Sequence, residues 1–165
     1  MSKQWQNNGK YKLKFMKYTS RLLQEGNIKM LEAYSTNQTI DNNGIIPFNS
    51  VSLVKGKTAV LNGVSTIELN TCGVYEIVLN VSGLPTSDGT VTVNMTKNGV
   101  TQNQSVLSIP TQVTTSGFSG SITTLVQVSK NNTNCCCSSP TTIQFVNGGV
   151  GITQAETNVV VTKIC

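Results

Sequence analysis

Apolar and polar residues alternate along most of the chain from Met30 onward. The segment 72–83 (CGVYEIVLNVSG) shows this most clearly: positions 75, 77, 79 and 81 are aromatic or aliphatic, while the intervening positions include Glu76 and Asn80. A period of two places alternate side chains on opposite faces of an extended chain. The segment is therefore predicted to be a β-strand with one buried face.

The same reading along the chain predicts about nine short strands separated by turns, which is typical of a sandwich or jelly roll. Asn62-Gly63 and Asn98-Gly99 favour tight hairpins, because both residues tolerate positive φ. In segment 41–48 (DNNGIIPF), a turn precedes an apolar stretch in which Pro47 keeps Ile46 extended. The predicted strands lie within segments 30–36, 57–69, 72–83, 90–109, 118–129, 141–147 and 157–165.

Residues 1–30 differ from this all-β pattern. Positions 11–15 alternate like a strand, whereas Phe15, Tyr18 and Leu22 have helical spacing that ends before Gly26. This mixed signal predicts an arm that takes its shape from a partner, with a disordered tail as the alternative. The chain therefore divides into an N-terminal arm, 1–30, and an all-β domain, 31–165.

The charge distribution supports this division. Charged residues make up 12% of the sequence, about half of the usual ~25%. Residues 1–30 hold six Lys and one Arg against one Glu, a net charge of +6, whereas residues 31–165 hold five Lys and six acids, a net charge of −1. A basic arm on a nearly neutral body is typical of an interaction tail.

The arm also carries aromatic residues that would anchor it on a partner. The candidate anchoring residues are Trp5, Lys10, Tyr11, Lys12, Leu13, Lys14, Phe15, Tyr18 and Arg21. Basic and aromatic residues together also suit nucleic acid. A neutral β body offers no second basic surface for such a ligand, so nucleic-acid binding ranks below docking on an acidic patch of a protein.

The sequence argues against an enzyme or a metalloprotein. It contains no histidine, and its seven acidic residues are scattered, so neither the commonest general base nor a carboxylate pair is evident. No phosphate-binding glycine loop is present, and no cofactor is predicted.

The cysteines Cys135, Cys136 and Cys137 stand side by side in a polar loop. Adjacent residues of an extended chain point to opposite sides and do not readily converge on one metal ion, and the C-x-x-C spacing of redox sites is absent. Two interpretations stay open: a cluster between chains of an oligomer, formed by disulfides or packed thiols, or an incidental loop of thiols.

Several segments in order resemble the bacterial and phage branch of the C1q/tumour-necrosis-factor-like domains. They are GIIPFNSV at 44–51, STIELNTCGVYEIVLNVSG at 65–83, KNGV at 97–100, SGFSGSITTLVQVSKNNT at 116–133 and NVVVTKI at 158–164. The resemblance implies a ten-stranded jelly roll that assembles as a compact homotrimer with its inner sheets facing a threefold axis. Acidic residues are too sparse for the calcium sites of some members, so metal binding is not implied.

A trimer would also bury part of an uncharged surface that is unfavourable for solubility. Candidate trimer contacts are the aromatic residues Tyr34, Phe48, Tyr75, Phe118 and Phe145. The alternative for each is ordinary packing inside one subunit.

Together these observations predict a structural virion protein: a homotrimeric head fibre or capsid decoration protein. Its arm would dock on a major capsid protein or another shell protein, and its outer face would adhere to a host-surface glycan or protein. No signal peptide or membrane span is evident, so synthesis in the host cytoplasm and a place on the capsid surface are expected. A cell- or spore-surface trimeric binding module is the alternative, although no Gly-X-Y repeat is present.

Overall fold

The structure, a computed structural model, describes residues 28–113, 117–129 and 139–165. These residues form strands and no helix. The ten strands are β1 (Lys29–Ile40), β2 (Ser50–Lys55), β3 (Ala59–Asn62), β4 (Thr66–Leu69), β5 (Gly73–Pro85), β6 (Gly89–Lys97), β7 (Val100–Thr111), β8 (Phe118–Val128), β9 (Thr141–Asn147) and β10 (Ile152–Lys163).

The strands build two five-stranded sheets that face each other. Sheet A has the order β2-β1-β10-β5-β8, and sheet B has the order β3-β4-β9-β6-β7. All neighbouring pairs are antiparallel, and the chain crosses repeatedly between the sheets. This is a jelly roll, so the predicted all-β fold is confirmed.

One of the two predicted Asn-Gly hairpins follows the predicted chemistry; at the other only Gly63 has positive φ, 66°, because Asn62 ends β3 opposite Thr66. Asn98 has φ 50° and Gly99 has φ 77°, at the tip between β6 and β7. The Asn98 side chain also accepts a hydrogen bond from the Thr142 amide at 2.8 Å, which ties the hairpin to β9. Asn and Gly are needed here because other residues are strained at positive φ.

One strand is missing from the sequence prediction, and two strands begin at other residues than predicted. The strand count misses β2, because five of its six residues are exposed and no alternation marks a buried face. β10 begins at Ile152 rather than near 157, since a bulge with Gln154 at φ 49° shifts the register between Thr153 and Glu156 and hides the period of two. β1 begins at Lys29, two residues before the expected start of the domain.

The core lies between the sheets and contains four of the five aromatic residues that the structure describes. Phe48 and Phe145 meet edge to face, with ring centroids 6.3 Å apart and an interplanar angle of 84°. The phenol of Tyr75 is also inside, where its hydroxyl donates to the carbonyl of Thr71 at 2.7 Å. Edge-to-face packing and a satisfied phenol are the arrangements that stabilise buried aromatic residues.

For four of the five candidate trimer contacts, this packing favours the alternative, which is ordinary packing inside one subunit. Phe48, Tyr75 and Phe145 are each 0% exposed in a single chain, and Phe118 is 8% exposed. A side chain with no exposed surface has nothing left to offer a neighbouring chain. These four residues therefore stabilise the subunit itself, and only Tyr34, at 39% exposure, stays a candidate contact.

Candidate assembly interface

The face of sheet A that points away from sheet B is the outer face of sheet A. Strand register arranges its side chains in rows that cross all five strands. A central row contains Leu53, Glu32, Val160, Val78 and Thr123, and the next contains Ser50, Tyr34, Asn158, Asn80 and Ser121. The outer face thus combines a mainly aliphatic strip, which Glu32 interrupts, with an uncharged polar strip that contains Tyr34.

A depression of about 350 Å³ opens at one end of this face. Its lining is mainly amide, hydroxyl and phenol groups, with Glu156 as the charged member. The depression lies where β1 and β10 both leave regular register, between Ser35 and Gln38 in one strand and between Thr153 and Glu156 in the other. Bulges bend a sheet locally, so the two irregular strands account for a concavity here.

Few charges interrupt the outer face. Its charged side chains are Glu32, Glu76, Glu156 and, at the β2 edge, Lys55. Glu32 accepts a hydrogen bond from the Asn158 side chain at 3.1 Å, so its carboxylate is tied down within the sheet. A broad face with so little charge is suited to burial against another surface.

Strands β7 and β8 lie next to each other at one side of the sandwich, where they contact each other closely. The Ser105 hydroxyl donates to Thr124 Oγ1 at 2.8 Å, which links sheet B to sheet A. Gly120 allows close approach, because a Cβ at this position would lie 2.6 Å from Ile109 Cδ1 and 2.9 Å from Leu107 Cδ1. The two edge strands are therefore closely packed and joined by a hydrogen bond.

The free edge of β8 has no electrostatic protection of its own. None of the residues from Phe118 to Val128 is charged, β5 is the one described strand with which β8 pairs, and Leu125 is 64% exposed. Natural proteins usually shield long edge strands with charges, bulges or a covering element. At one position Lys97 does this, because its ammonium donates to the Gln127 carbonyl at 2.8 Å.

The sequence prediction missed most of this surface. It named Tyr34 but not Val78, Val160 or Leu125, because aromatic residues were favoured over aliphatic ones. A usable signal was present: in β5, Val78 shares its face with Glu76 and Asn80, which marks it as outward. The anchoring residues within 1–27 and the triplet Cys135, Cys136 and Cys137 lie outside the described residues.

Neither a metal-ion site nor a membrane-spanning helix is found within residues 28–113, 117–129 and 139–165. There, no three His, Cys, Asp or Glu side chains converge in a way that could hold a metal ion. The same residues include no helix with the length and apolarity needed to cross a membrane.

The strand order, the two five-stranded sheets and the central position of β5 and β10 define a C1q/TNF-like jelly roll. PRD1 vertex protein P5 has this fold with a TM-score of 0.60 and 17% identity, over 86% of this chain and 100% of that chain. The globular domain of zebrafish complement 1qA protein has a TM-score of 0.61 and 11% identity, over 84% of this chain and 98% of that chain.

Eiger TNF from S. frugiperda is also similar, with a TM-score of 0.58 and 10% identity, over 83% of this chain and 94% of that chain. No protein-family model matches the sequence, and neither does any of the curated proteins. At these identities the likeness establishes the fold, and the resemblance inferred from the sequence motifs is confirmed at that level.

Proposed function

We propose that this protein is a structural component of a phage virion, a homotrimeric head fibre or capsid decoration protein. The observation that carries the proposal is the combination of a C1q/TNF-like jelly roll with a basic N-terminal arm. The likeness to the vertex protein of the phage PRD1, over the whole length of that chain, supports a virion role. The sparse acids and absent histidine agree with a structural rather than a chemical task.

The proposed trimer uses the outer face of sheet A and the β7–β8 edge. One copy's edge, with exposed Leu125, packs against the aliphatic strip around Val78 and Val160 of the next copy. Such a contact joins two different surfaces, so it closes a ring when the rotation is one third of a turn. Burying both the sparsely charged face and the unprotected edge of β8 removes two surfaces that favour aggregation.

The arm is proposed to hold this trimer on a shell protein. Its net positive charge and its aromatic residues would meet an acidic, partly apolar patch, as expected for a segment that orders on binding. A trimer presents three arms, so even modest affinity per arm gives strong attachment through effective concentration. Adhesion of the exposed loops to a host-surface glycan or protein would be a further role of the projecting domain.

The experiment that tests this function uses virions that lack the protein. Purified full-length chain and a variant without residues 2–27 are added to such particles, which are then separated from free protein and examined by cryo-electron microscopy. The full chain is expected to add trimeric density to the shell, and the shortened chain is expected to remain free. Absence of the full chain from both native and reconstituted particles would overturn the proposal.

The trimer has its own test, which does not require particles. Native mass spectrometry of the full chain is expected to show three copies, and sedimentation should agree in solution. The variant Val78→Arg, which places a charge in the middle of the aliphatic strip, should shift the protein to monomer while its circular dichroism stays that of a folded β-protein. A stable wild-type monomer would contradict the proposed assembly.

A further inference from the structure

All lysines of the described residues lie at one end of the sandwich. They come from distant parts of the sequence and are Lys29, Lys55, Lys57, Lys97 and Lys163. We call this end the lysine pole. The nearly neutral body predicted from the sequence is therefore a polarised one.

Strand register brings the first three strands of this pole together. Lys29 of β1 is the Cα partner of Lys163 of β10, and the neighbouring Met30 is the partner of Lys55 of β2. Gly56 packs at the same place, because a Cβ on it would lie 3.4 Å from Lys29 Cγ. Three ammonium groups thus extend from adjacent strand ends of sheet A.

The remaining two lysines complete the pole from sheet B. The carbonyl of Lys57 accepts a hydrogen bond from the Asn70 side chain at 3.3 Å, which fixes the β2–β3 connection beside the end of β4. Lys97 ends β6, and its ammonium reaches the Gln127 carbonyl near the end of β8. Both sheets therefore contribute positive charge to one surface.

The side chains of two of these lysines contact other described residues, and those of the other three do not. Lys163 donates to Thr71 Oγ1 at 3.2 Å and stands over the Tyr75 ring, 5.9 Å from its centroid, and Lys97 is held as described. The side chains of Lys29, Lys55 and Lys57 make no hydrogen bond or ion pair with any described residue. Their charges are available to a partner.

The opposite end of the sandwich has the opposite sign. Asp41 follows β1 and Asp88 precedes β6, and no described residue of that end is Lys or Arg. Asp88 accepts a hydrogen bond from the Val113 amide at 2.7 Å, so this carboxylate is fixed at the far loops. Charge separated along the long axis orients a protein as it approaches a charged surface.

We propose that the lysine pole is a docking surface for an acidic protein surface, and that it faces the virion shell. This inference rests on the proposed function and adds to the arm a second contact with the shell, which the β-domain itself makes. Residues 1–27 join the body at Ile28, which is at this same pole, so the basic segment is attached at the positively charged end of the body. The acidic end then points outward.

An acidic protein fits this pole better than nucleic acid does. Glu32, Glu68 and Glu76 lie a few positions from the lysines on the same strands or their neighbours, so the pole is not the continuous basic groove that follows a phosphate backbone. The described residues of the pole include no exposed aromatic ring on which a base would stack, since Tyr75 is buried. A protein surface can match such mixed charge.

A pair of charge-matched variants tests the pole in the full-length chain. Lys55→Gln with Lys57→Gln removes two positive charges at the pole, and Asn42→Asp with Gln112→Glu adds two negative charges at the exposed opposite end. Net charge falls equally in both. Immobilised poly-L-glutamate and a 20-base-pair DNA duplex serve as the acidic polypeptide and nucleic-acid probes, at the same ionic strength.

The pole variant is expected to bind poly-L-glutamate about fivefold more weakly than wild type, as for the loss of two exposed ion pairs. The opposite-end variant should stay within about twofold, because its added charges are far beyond the screening length of the contact. Equal weakening in both variants would overturn the proposal. So would wild-type binding to DNA that is tighter than binding to poly-L-glutamate and is lost only in the pole variant.

A second experiment separates this inference from the proposed function. Particles reconstituted with wild-type protein are treated with a carbodiimide, which joins an amine directly to a carboxylate, and the products are mapped by mass spectrometry. Links from Lys29, Lys55 or Lys57 to shell carboxylates are expected. Particles that take up the chain but link through Asp41 or Asp88 instead would overturn the pole and keep the virion role. If the particles take up no chain, the proposed virion role is wrong. The poly-L-glutamate assay would still show whether the lysine pole binds an acidic polypeptide.

Discussion

The hydroxyl groups of Ser105 on β7 and Thr124 on β8 lie 2.8 Å apart and join the edges of the two sheets. Ser105 is buried, at 1% exposure, so its hydroxyl depends on this partner. The bond joins the two strands of the β7–β8 edge, which we propose to be half of the trimer contact. Its strength can be measured without any assembly.

Ser105→Ala is expected to lower the free energy of unfolding by about 1 kcal/mol, the typical net value of a buried hydrogen bond. Thr124→Val should cost a similar amount, and the double variant should cost less than the sum because both changes remove the same bond. Chemical denaturation at a fixed protein concentration measures the cycle. Ser108→Ala, an exposed position on the same strand, is the control and should change little; strict additivity of the two single costs would contradict the coupling.

Phe145 tests whether the buried aromatic residues stabilise the subunit or form a contact between chains. Phe145→Ala removes a fully buried ring that packs on Phe48, and should cost about 3–5 kcal/mol in unfolding free energy. Phe145→Leu, which keeps most of the volume, should cost less than about 1.5 kcal/mol. If Phe145→Ala instead left the monomer stable and only abolished assembly, the side chain would be an interface residue after all.

The sequence predicted the fold well, because alternation and Asn-Gly turns are local signals. The sequence predicted less well which side chains face the core and which face another chain. In β5 the outward position of Glu76 already assigned Tyr75 to the core, yet its aromatic character suggested a contact. The lysine pole could not be found at all, since residues as distant as Lys29 and Lys163 become neighbours only through strand register. Register depends on the whole sheet, and no local pattern encodes it.

Tyr34 is the aromatic contact that stays a prediction. Its ring is partly exposed on the outer face of sheet A, so Tyr34→Ala should change unfolding of the subunit by less than about 0.5 kcal/mol. In the trimer each interface should lose about 2 kcal/mol, as for a central tyrosine of a protein contact. Sedimentation at several concentrations measures this. Val106→Ala, exposed on the outward side of sheet B, is the matched control, and an equal effect of both changes would argue against the proposed face.

Thr58 carries a buried hydroxyl without a hydrogen-bond partner among the described residues. Its carbonyl, in contrast, accepts from the Asn70 amide at 2.8 Å and from the Tyr75 hydroxyl at 3.3 Å. Thr58→Val keeps the shape and removes the unsatisfied group, so it should stabilise the fold by about 1 kcal/mol. Thermal unfolding would show a higher midpoint. Thr58→Ala, which removes the methyl group as well, is the control and should gain less; a destabilised Val variant would mean that the hydroxyl has a partner.

The cysteine triplet follows β8 in the sequence, in the connection to β9 that begins after Ser129 near the lysine pole. If three copies of this connection meet across the trimer, interchain disulfides would hold the subunits together. The triple variant Cys135→Ser, Cys136→Ser, Cys137→Ser should then dissociate in denaturant under oxidising conditions, whereas the wild-type subunits should stay covalently joined. With reductant present, wild type and variant should behave alike. Cys165→Ser, at an exposed position of the same end, is the control, and non-reducing gels together with native mass spectrometry measure both. Equal dissociation of wild type and triple variant without reductant would leave the triplet as an incidental feature of the connection.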